Sequence, residues 1–329
     1  MERNKRLLWK CVLVMISLFL VVGIAKAEYP ENTVSLYVGF SPGGSLDLSA
    51  RALALSVQKV LGKSVIIENK VGGTGAVALA SMLSQKHDGY VLCATPTSVL
   101  VRVSQIQNMP FKPLKSFKPI IGYASPQLGI LVKNDVPWKT LKDLVSDARK
   151  NPGKLTYATT GLGSTTQAAV EEISIKENIR MVHVPYKGSM EAMTALMGGH
   201  VNMASLTSEF IPMVKSGQLR LLATMGEERS QTFPSIPTLK EEGYDFANDT
   251  VYAIVGPTNL EPALAEKLEK AFAEAMKDKQ YLDVLEKDNL IPIHMTGKDL
   301  DLFIKKNWKI INKHLIASGI IKQAATPLE

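Results

Sequence analysis

From Val34 onward, short β-branched runs alternate with amphipathic helical stretches. A chain with that rhythm is committed to an α/β architecture, in which helices cover a parallel sheet. The run at 34–40 reads as a buried strand. The helix that follows carries apolar residues at Leu46, Ala50, Leu53, Val57 and Val60, in steps of four and three, and Gly62 stops it. Runs at 64–69 and 89–95 are further strands, with a helix between them. Two extended stretches follow within 120–132, then a helix ended by Asn151-Pro152-Gly153. Strand and helix alternate again through 154–225, with helices opening at Ser164 and Ser189.

Pro234, Pro237 and the segment around 241–249 break this rhythm, and 251–257 is extended once more. The remainder reads as almost all helix. Helices without strands cannot build a layered core of their own, so this tail is expected to pack back on the first lobe. The expected division is lobe one from 28–124, lobe two from 125–250, and 251–329 returning to lobe one. Such a chain crosses between lobes twice, near 122–126 and near 248–252, and two crossings make a hinge.

The N-terminus is of a different kind. Arg3, Lys5, Arg6 and Lys10 precede an uncharged apolar run at 11–25, and Ala25-Lys26-Ala27 follows as a small-residue cleavage site. This is the pattern of a secretory signal peptide, 1–27. Fifteen helical residues rise only about 22 Å, against a hydrocarbon core of roughly 30 Å. Cleavage after Ala27 removes five basic residues and one acidic residue from a formal charge of +7, leaving 302 residues at +3. With no Lys/Arg run, that charge offers no footprint for nucleic acid. Cys11 leaves with the signal and Cys93 remains, so no internal disulfide forms. The mature chain is expected to be a soluble periplasmic monomer.

Three loops lie where a strand opens into a helix, the place where open α/β sheets bind ligands. In Phe40-Ser41-Pro42-Gly43-Gly44-Ser45-Leu46-Asp47, the glycines let a ligand approach bare N–H groups at a helix start. A plain turn with Ser45 as cap and Asp47 offsetting the dipole accounts for the same residues. The loop also contains Gly-x-Ser-x-Gly, the form of a hydrolase nucleophile elbow. There, however, the residue after the serine supplies an oxyanion-hole N–H, and Pro42 has none. The second loop, Thr159-Thr160-Gly161-Leu162-Gly163-Ser164-Thr165-Thr166-Gln167, has Thr166 where a dinucleotide fingerprint needs glycine. Ser164 and Gln167 have capping-box spacing; the glycines before them make an anion site plausible, and both readings stand. The third, His183 to Ser189, offers Lys187 to an acid, although a solvated lysine is the plainer account, and His183 reads as structural.

Other motifs carry less. His87, His183, His200, His294 and His314 have no metal-ligand spacing, and neither metal nor cofactor is expected. Ser56-x-x-Lys59 falls inside the first helix, with Val57 on its buried stripe, and is a chance match.

Taken in order, several landmarks carry a family resemblance. They are Tyr29-Pro30, Phe40-Ser41-Pro42-Gly43-Gly44 with Asp47 and Ala50-Arg51, Glu68-Asn69-Lys70, Asp88-Gly89-Tyr90 and Asn151-Pro152-Gly153-Lys154-Leu155. Gly161 with Gly163-Ser164, His183 through Gly188, and Gly198-Gly199 complete the set. The chain resembles the extracytoplasmic solute receptors of tripartite tricarboxylate transporters, the TctC or Bug family, over nearly its whole mature length. The resemblance implies a type II periplasmic-binding-protein fold, two lobes closing on a small organic acid that a membrane permease then receives, and no catalysis. It implies a carboxylate held by backbone N–H groups and hydroxyls at two helix starts: Ser41, Gly43, Gly44 and Asp47 in lobe one, and Gly161, Gly163, Ser164 and Thr165 in lobe two. Thr97, Ser98 and Thr207 occupy further ligand-facing positions, and Phe40 and Gln167 complete the candidate binding set. The family often has histidine at the position of Gln167 and aspartate at that of Asn202, so ligand identity does not transfer. An exported hydrolase using Ser41 and an extracytoplasmic ligand sensor are the competing readings.

Overall fold

The structure, a computed structural model, describes residues 29–322; the signal segment and its cleavage site lie outside the described residues. Two mixed α/β lobes each carry one sheet. Lobe one begins with β1 (Val34–Val38), α1 (Ser45–Leu61), β2 (Val65–Asn69), α2 (Ala76–Leu83), β3 (Val91–Pro96) and β4 (Phe117–Ser125), with a π-helical turn at Val99–Val103. Lobe two contains β5 (Leu128–Lys133), α3 (Leu141–Lys150), β6 (Thr156–Thr159), α4 (Thr165–Glu177) and β7 (Val182–Pro185). It continues with α5 (Ser189–Met197), β8 (Met203–Thr207), α6 (Ile211–Lys215) and β9 (Leu219–Thr224). The chain then returns to lobe one as β10 (Tyr252–Pro257), α7 (Pro262–Ala275), α8 (Lys279–Lys287), β11 (Ile291–Thr296) and α9 (Gly297–Ala317).

The strand orders are β11-β4-β10-β3-β1-β2 and β7-β6-β8-β5-β9. Neither sheet is wholly parallel, which corrects the reading from strand–helix alternation. In lobe two β5 alone runs against its neighbours, and in lobe one β10 and β11 do. The crossings explain this. β4 ends at the hinge, and only Pro126 and Gln127 separate it from β5. A strand entered directly from the hinge must run away from it, opposite to strands whose carboxyl ends point toward it. The same holds for β10 on the return.

The two crossings are tied side by side. Asn248 Nδ2 donates to the Pro126 carbonyl at 2.7 Å, and Ser125 Oγ to the Thr250 carbonyl at 2.8 Å. The C-terminal tail packs on lobe one, with Leu300, Ile304 and Trp308 buried beside Ala253 and Val255. It is not all helix: β11 pairs with β4 at the sheet edge, with an irregularity between Pro292 and Met295. An edge strand tolerates proline, and the half-exposed run shows no clean alternation to read.

Local expectations for α1 hold in detail. Leu46, Ala50, Leu53 and Val57 are buried and Gly62 ends the helix in the left-handed region, but Val60 is exposed on the last turn. Each sheet is sandwiched between two apolar layers. In lobe one α1, α7 and α8 lie on one face, with α2 and α9 on the other. In lobe two α3 and α4 oppose α5 and α6.

Candidate functional site

The carboxyl ends of the parallel strands meet at a cleft between the lobes, and the helices that follow begin there. The cleft is narrow, with a cavity volume of about 50 Å³, and residues of both lobes line it. Of the residues expected at the site, Phe40, Ser41, Gly44, Ser98, Ser164, Thr165 and Thr207 line the cleft. Gly43, Asp47, Thr97, Gly161, Gly163 and Gln167 do not; they shape it from behind.

The two helix starts are built alike. In lobe one Gly43 is left-handed (φ +83°) and its N–H donates to Asp47 Oδ2 at 2.9 Å. In lobe two Gly163 is left-handed (φ +80°) and its N–H donates to Gln167 Oε1 at 2.5 Å. In each case a side chain four residues on holds the turn, so these glycine N–H groups are already satisfied. Asp47 is buried and accepts from Arg51 at 2.9 and 3.0 Å and from Asn69 at 2.8 Å. Burial raises its pKa, but Arg51, the Gly43 N–H and Asn69 outweigh that and hold the carboxyl below its usual value. Ser164 Oγ accepts from the Gln167 N–H at 3.2 Å, half of a capping box; the Gln167 side chain reaches back to Gly163 rather than to the cap. The Gln167 side chain thus braces the turn at Gly163. The N–H groups of Thr165 and Thr166 have no acceptor within their own helix, and both residues line the cleft.

Thr97 is a clamp. Its N–H donates to the Val251 carbonyl at 2.8 Å and its hydroxyl accepts from the Val251 N–H at 3.0 Å, tying β3 to the return crossing. Gly161 (φ +129°) packs on Thr74: a Cβ there would lie 2.6 Å from Thr74 Oγ1.

Several lining residues lie outside the expected binding set: Thr160 and Ser189, which belong to the second and third loops, and Thr74, Glu209, Thr250 and Tyr252. Ser189 opens α5 after the third loop, and that loop contributes through this helix start rather than through Lys187, which is exposed. His183 is structural: it stacks on Tyr157 at 4.9 Å and its Nε2 lies 2.6 Å from Thr159 Oγ1, and burial lowers its pKa to about 4. Glu209 sits just after β8, where one isolated acid gives no periodic signal. Its carboxylate accepts from the Ser45 N–H at the α1 start and, at 2.6 Å, from the Thr207 hydroxyl. Beneath it Ser45 Oγ lies 2.6 Å from the Tyr252 hydroxyl, whose pKa burial and then Glu209 push well above its usual value, so it stays a donor.

The lobes are closed on one another. Ser41 Oγ donates to Glu191, Arg102 pairs with Glu171, and the Leu162 carbonyl accepts from Thr74 Oγ1 at 3.0 Å and Gln107 Nε2 at 2.6 Å. Ser41 thus bonds to a carboxylate, and no histidine is among the described residues that line the cleft, so the Ser-His pair of a hydrolase elbow is not formed there. Ser56 is buried in α1 and Lys59 pairs with Asp278 at 2.5 Å on the surface, so the Ser-x-x-Lys spacing is structural. Among the described residues no His, Cys, Asp or Glu cluster could hold a metal, and no helix is long and apolar enough to cross a membrane.

Comparison with known proteins agrees with this geometry. The family model described as tripartite tricarboxylate transporter family receptor, TctC, matches residues 49–319. A Cupriavidus necator protein described as "UPF0065 protein in gbd 5'region" is 37% identical over 290 residues, covering 87% of this chain and 88% of that one. A solved structure titled "Structure of a periplasmic transporter" superposes with a TM-score of 0.84 at 26% identity, over 90% of this chain and 100% of the other. MatC from Rhodopseudomonas palustris, solved with bound malate, shares the fold at a TM-score of 0.81 and 22% identity, over 86% of this chain and 99% of that one. The chain belongs to the TctC family of tripartite tricarboxylate transporter receptors, periplasmic solute-binding proteins rather than enzymes.

Proposed function

We propose that this protein is an exported receptor, released by cleavage after Ala27, that captures a small organic carboxylate between its lobes and delivers it to a tripartite tricarboxylate-type permease. It acts as a monomer. The observation that carries this reading is the convergence of hydroxyl-bearing helix starts from both lobes, at Ser41–Ser45 and Ser164–Thr166, on one interlobe cleft. A helix start presents unpaired N–H donors and about half a positive charge, so it can hold an acid without a basic side chain. Ligand contacts to both lobes favour the closed form, and that form is what a permease can recognise. MatC with malate and a second R. palustris fold relative solved with adipate, Rpa4515, add support from the fold they share with this chain.

A thermal-shift screen of small organic acids tests the reading. A true ligand at 100 times its dissociation constant stabilises the fold by about 2.7 kcal/mol. Gly44→Val should abolish that shift, because a Cβ at Gly44 already lies 3.3 Å from Glu209 and a branched chain fills the cleft edge. A broad acid library without a single shift would refute the reading.

A further inference from the structure

The cleft is electrically lopsided. Glu209 is the one charged side chain among the described residues that line it. Glu191 does not line the cleft but reaches the same α1 loop, with one carboxylate oxygen bonded to Ser41 and the other, Oε2, buried with no hydrogen-bond partner. Two carboxylates therefore meet the start of α1, with the start of α5 alongside; at about half a positive charge each, the two helix starts leave this end net negative. The basic groups nearby are committed elsewhere, Arg51 to Asp47 and Arg102 to Glu171. At the other end α4 has no acidic residue in its first turn, and the Thr165 and Thr166 N–H groups lack helical acceptors.

One end is thus net negative and the other net positive. A ligand bearing carboxylates alone would seat one of them at α4 and press the rest of its charge toward Glu209. We infer that the ligand of this receptor is a small zwitterion, with a carboxylate at the α4 start and a cationic nitrogen against Glu209. This rests on the receptor reading above and narrows its ligand class. Glu209 has the capacity: a carboxylate offers about four lone-pair sites, and the Ser45 N–H and the Thr207 hydroxyl use two.

The test uses matched pairs that differ only in the group replacing the amine: L-aspartate with L-malate, L-glutamate with 2-hydroxyglutarate, and ω-amino acids with dicarboxylates of equal length. Calorimetric titration of the mature protein should favour the amine-bearing member of the binding pair by about tenfold or more. Glu209→Gln keeps an acceptor for the Ser45 N–H while removing the charge, and should largely erase that preference. Malate, or any amine-free partner, binding as tightly as its amine counterpart would overturn the inference, as would a preference that survives in Glu209→Gln. Both results leave the receptor reading standing, since an acid still binds. Silence from every pair would overturn the inference and leave the receptor reading to the broader acid screen.

Discussion

Arg102 and Glu171 face each other across the lobe boundary, the guanidinium almost fully buried at 5% exposure and the carboxylate at 20%. Burial lowers the Arg102 pKa and raises that of Glu171, in each case against the pull of the partner. Removing one member of such a pair strands a buried charge, at about 3–5 kcal/mol. Here the protein has an escape: opening the hinge returns Glu171 to water. In Arg102→Met the cost should therefore appear as a bias toward the open form rather than as unfolding. At about 3 kcal/mol, and 1.4 kcal/mol per decade, that bias reaches roughly 150-fold. Affinity for a ligand that needs closure then falls by up to the same factor. Small-angle scattering should show a more extended ligand-free protein, and titration a matching rise in Kd. The defect should shrink as pH is lowered, because Glu171, raised by burial and no longer held down by Arg102, takes up a proton and tolerates burial. The double variant Arg102→Met/Glu171→Met should regain closure, since apolar residues can replace a buried pair. Wild-type affinity in the single variant, or a double variant no better than the single, would refute this account of the hinge.

Three further outcomes are expected. Gln167→Ala removes the acceptor of the Gly163 N–H and should lower stability by about 1–3 kcal/mol in urea unfolding while leaving ligand affinity unchanged; lost affinity at full stability would instead make Gln167 a ligand contact. His183, with a pKa lowered to about 4 by burial, is neutral in the fold but takes up a proton on unfolding in acid. Its contribution is complete above about pH 6.5 and lost as pH falls toward 4, at most about 3 kcal/mol, and His183→Gln should flatten that part of the stability curve. Intact mass of the protein recovered from the cell envelope should correspond to a chain starting at Glu28, and a full-length mass in the membrane fraction would contradict export as a soluble receptor.

Much of the fold was legible because it rests on local signals. Strand–turn–helix units carry their own periodicity, and the stripe from Leu46 to Val57 found the buried face of α1. The reversal of β5 and β10 was not legible, since direction within a sheet follows from where the chain crosses the hinge and leaves no mark in hydrophobic pattern. β11 escaped for a related reason: an edge strand containing Pro292 and half exposed has neither alternation nor a continuous apolar run. At the site, glycine-rich helix starts could be found from spacing, and seven of the thirteen expected residues line the cleft. Spacing could not separate residues that face the ligand space from those that brace the turn. Gly43 and Gly163 give their N–H groups to Asp47 and Gln167, and Thr97 binds Val251. Glu209 and Glu191 reach the α1 loop from the other lobe, and contacts over such separations have no sequence signature.

The helix starts between the lobes are expected to hold an acid without a basic side chain. A crystal structure of the mature protein with the tightest-binding acid from the screen tests it most directly. One ligand carboxylate is expected within about 3 Å of the Thr165 and Thr166 N–H groups, inside closed lobes, with no lysine or arginine in contact. A carboxylate paired with Lys187 or another cation, or a ligand seated outside the interlobe cleft, would contradict it.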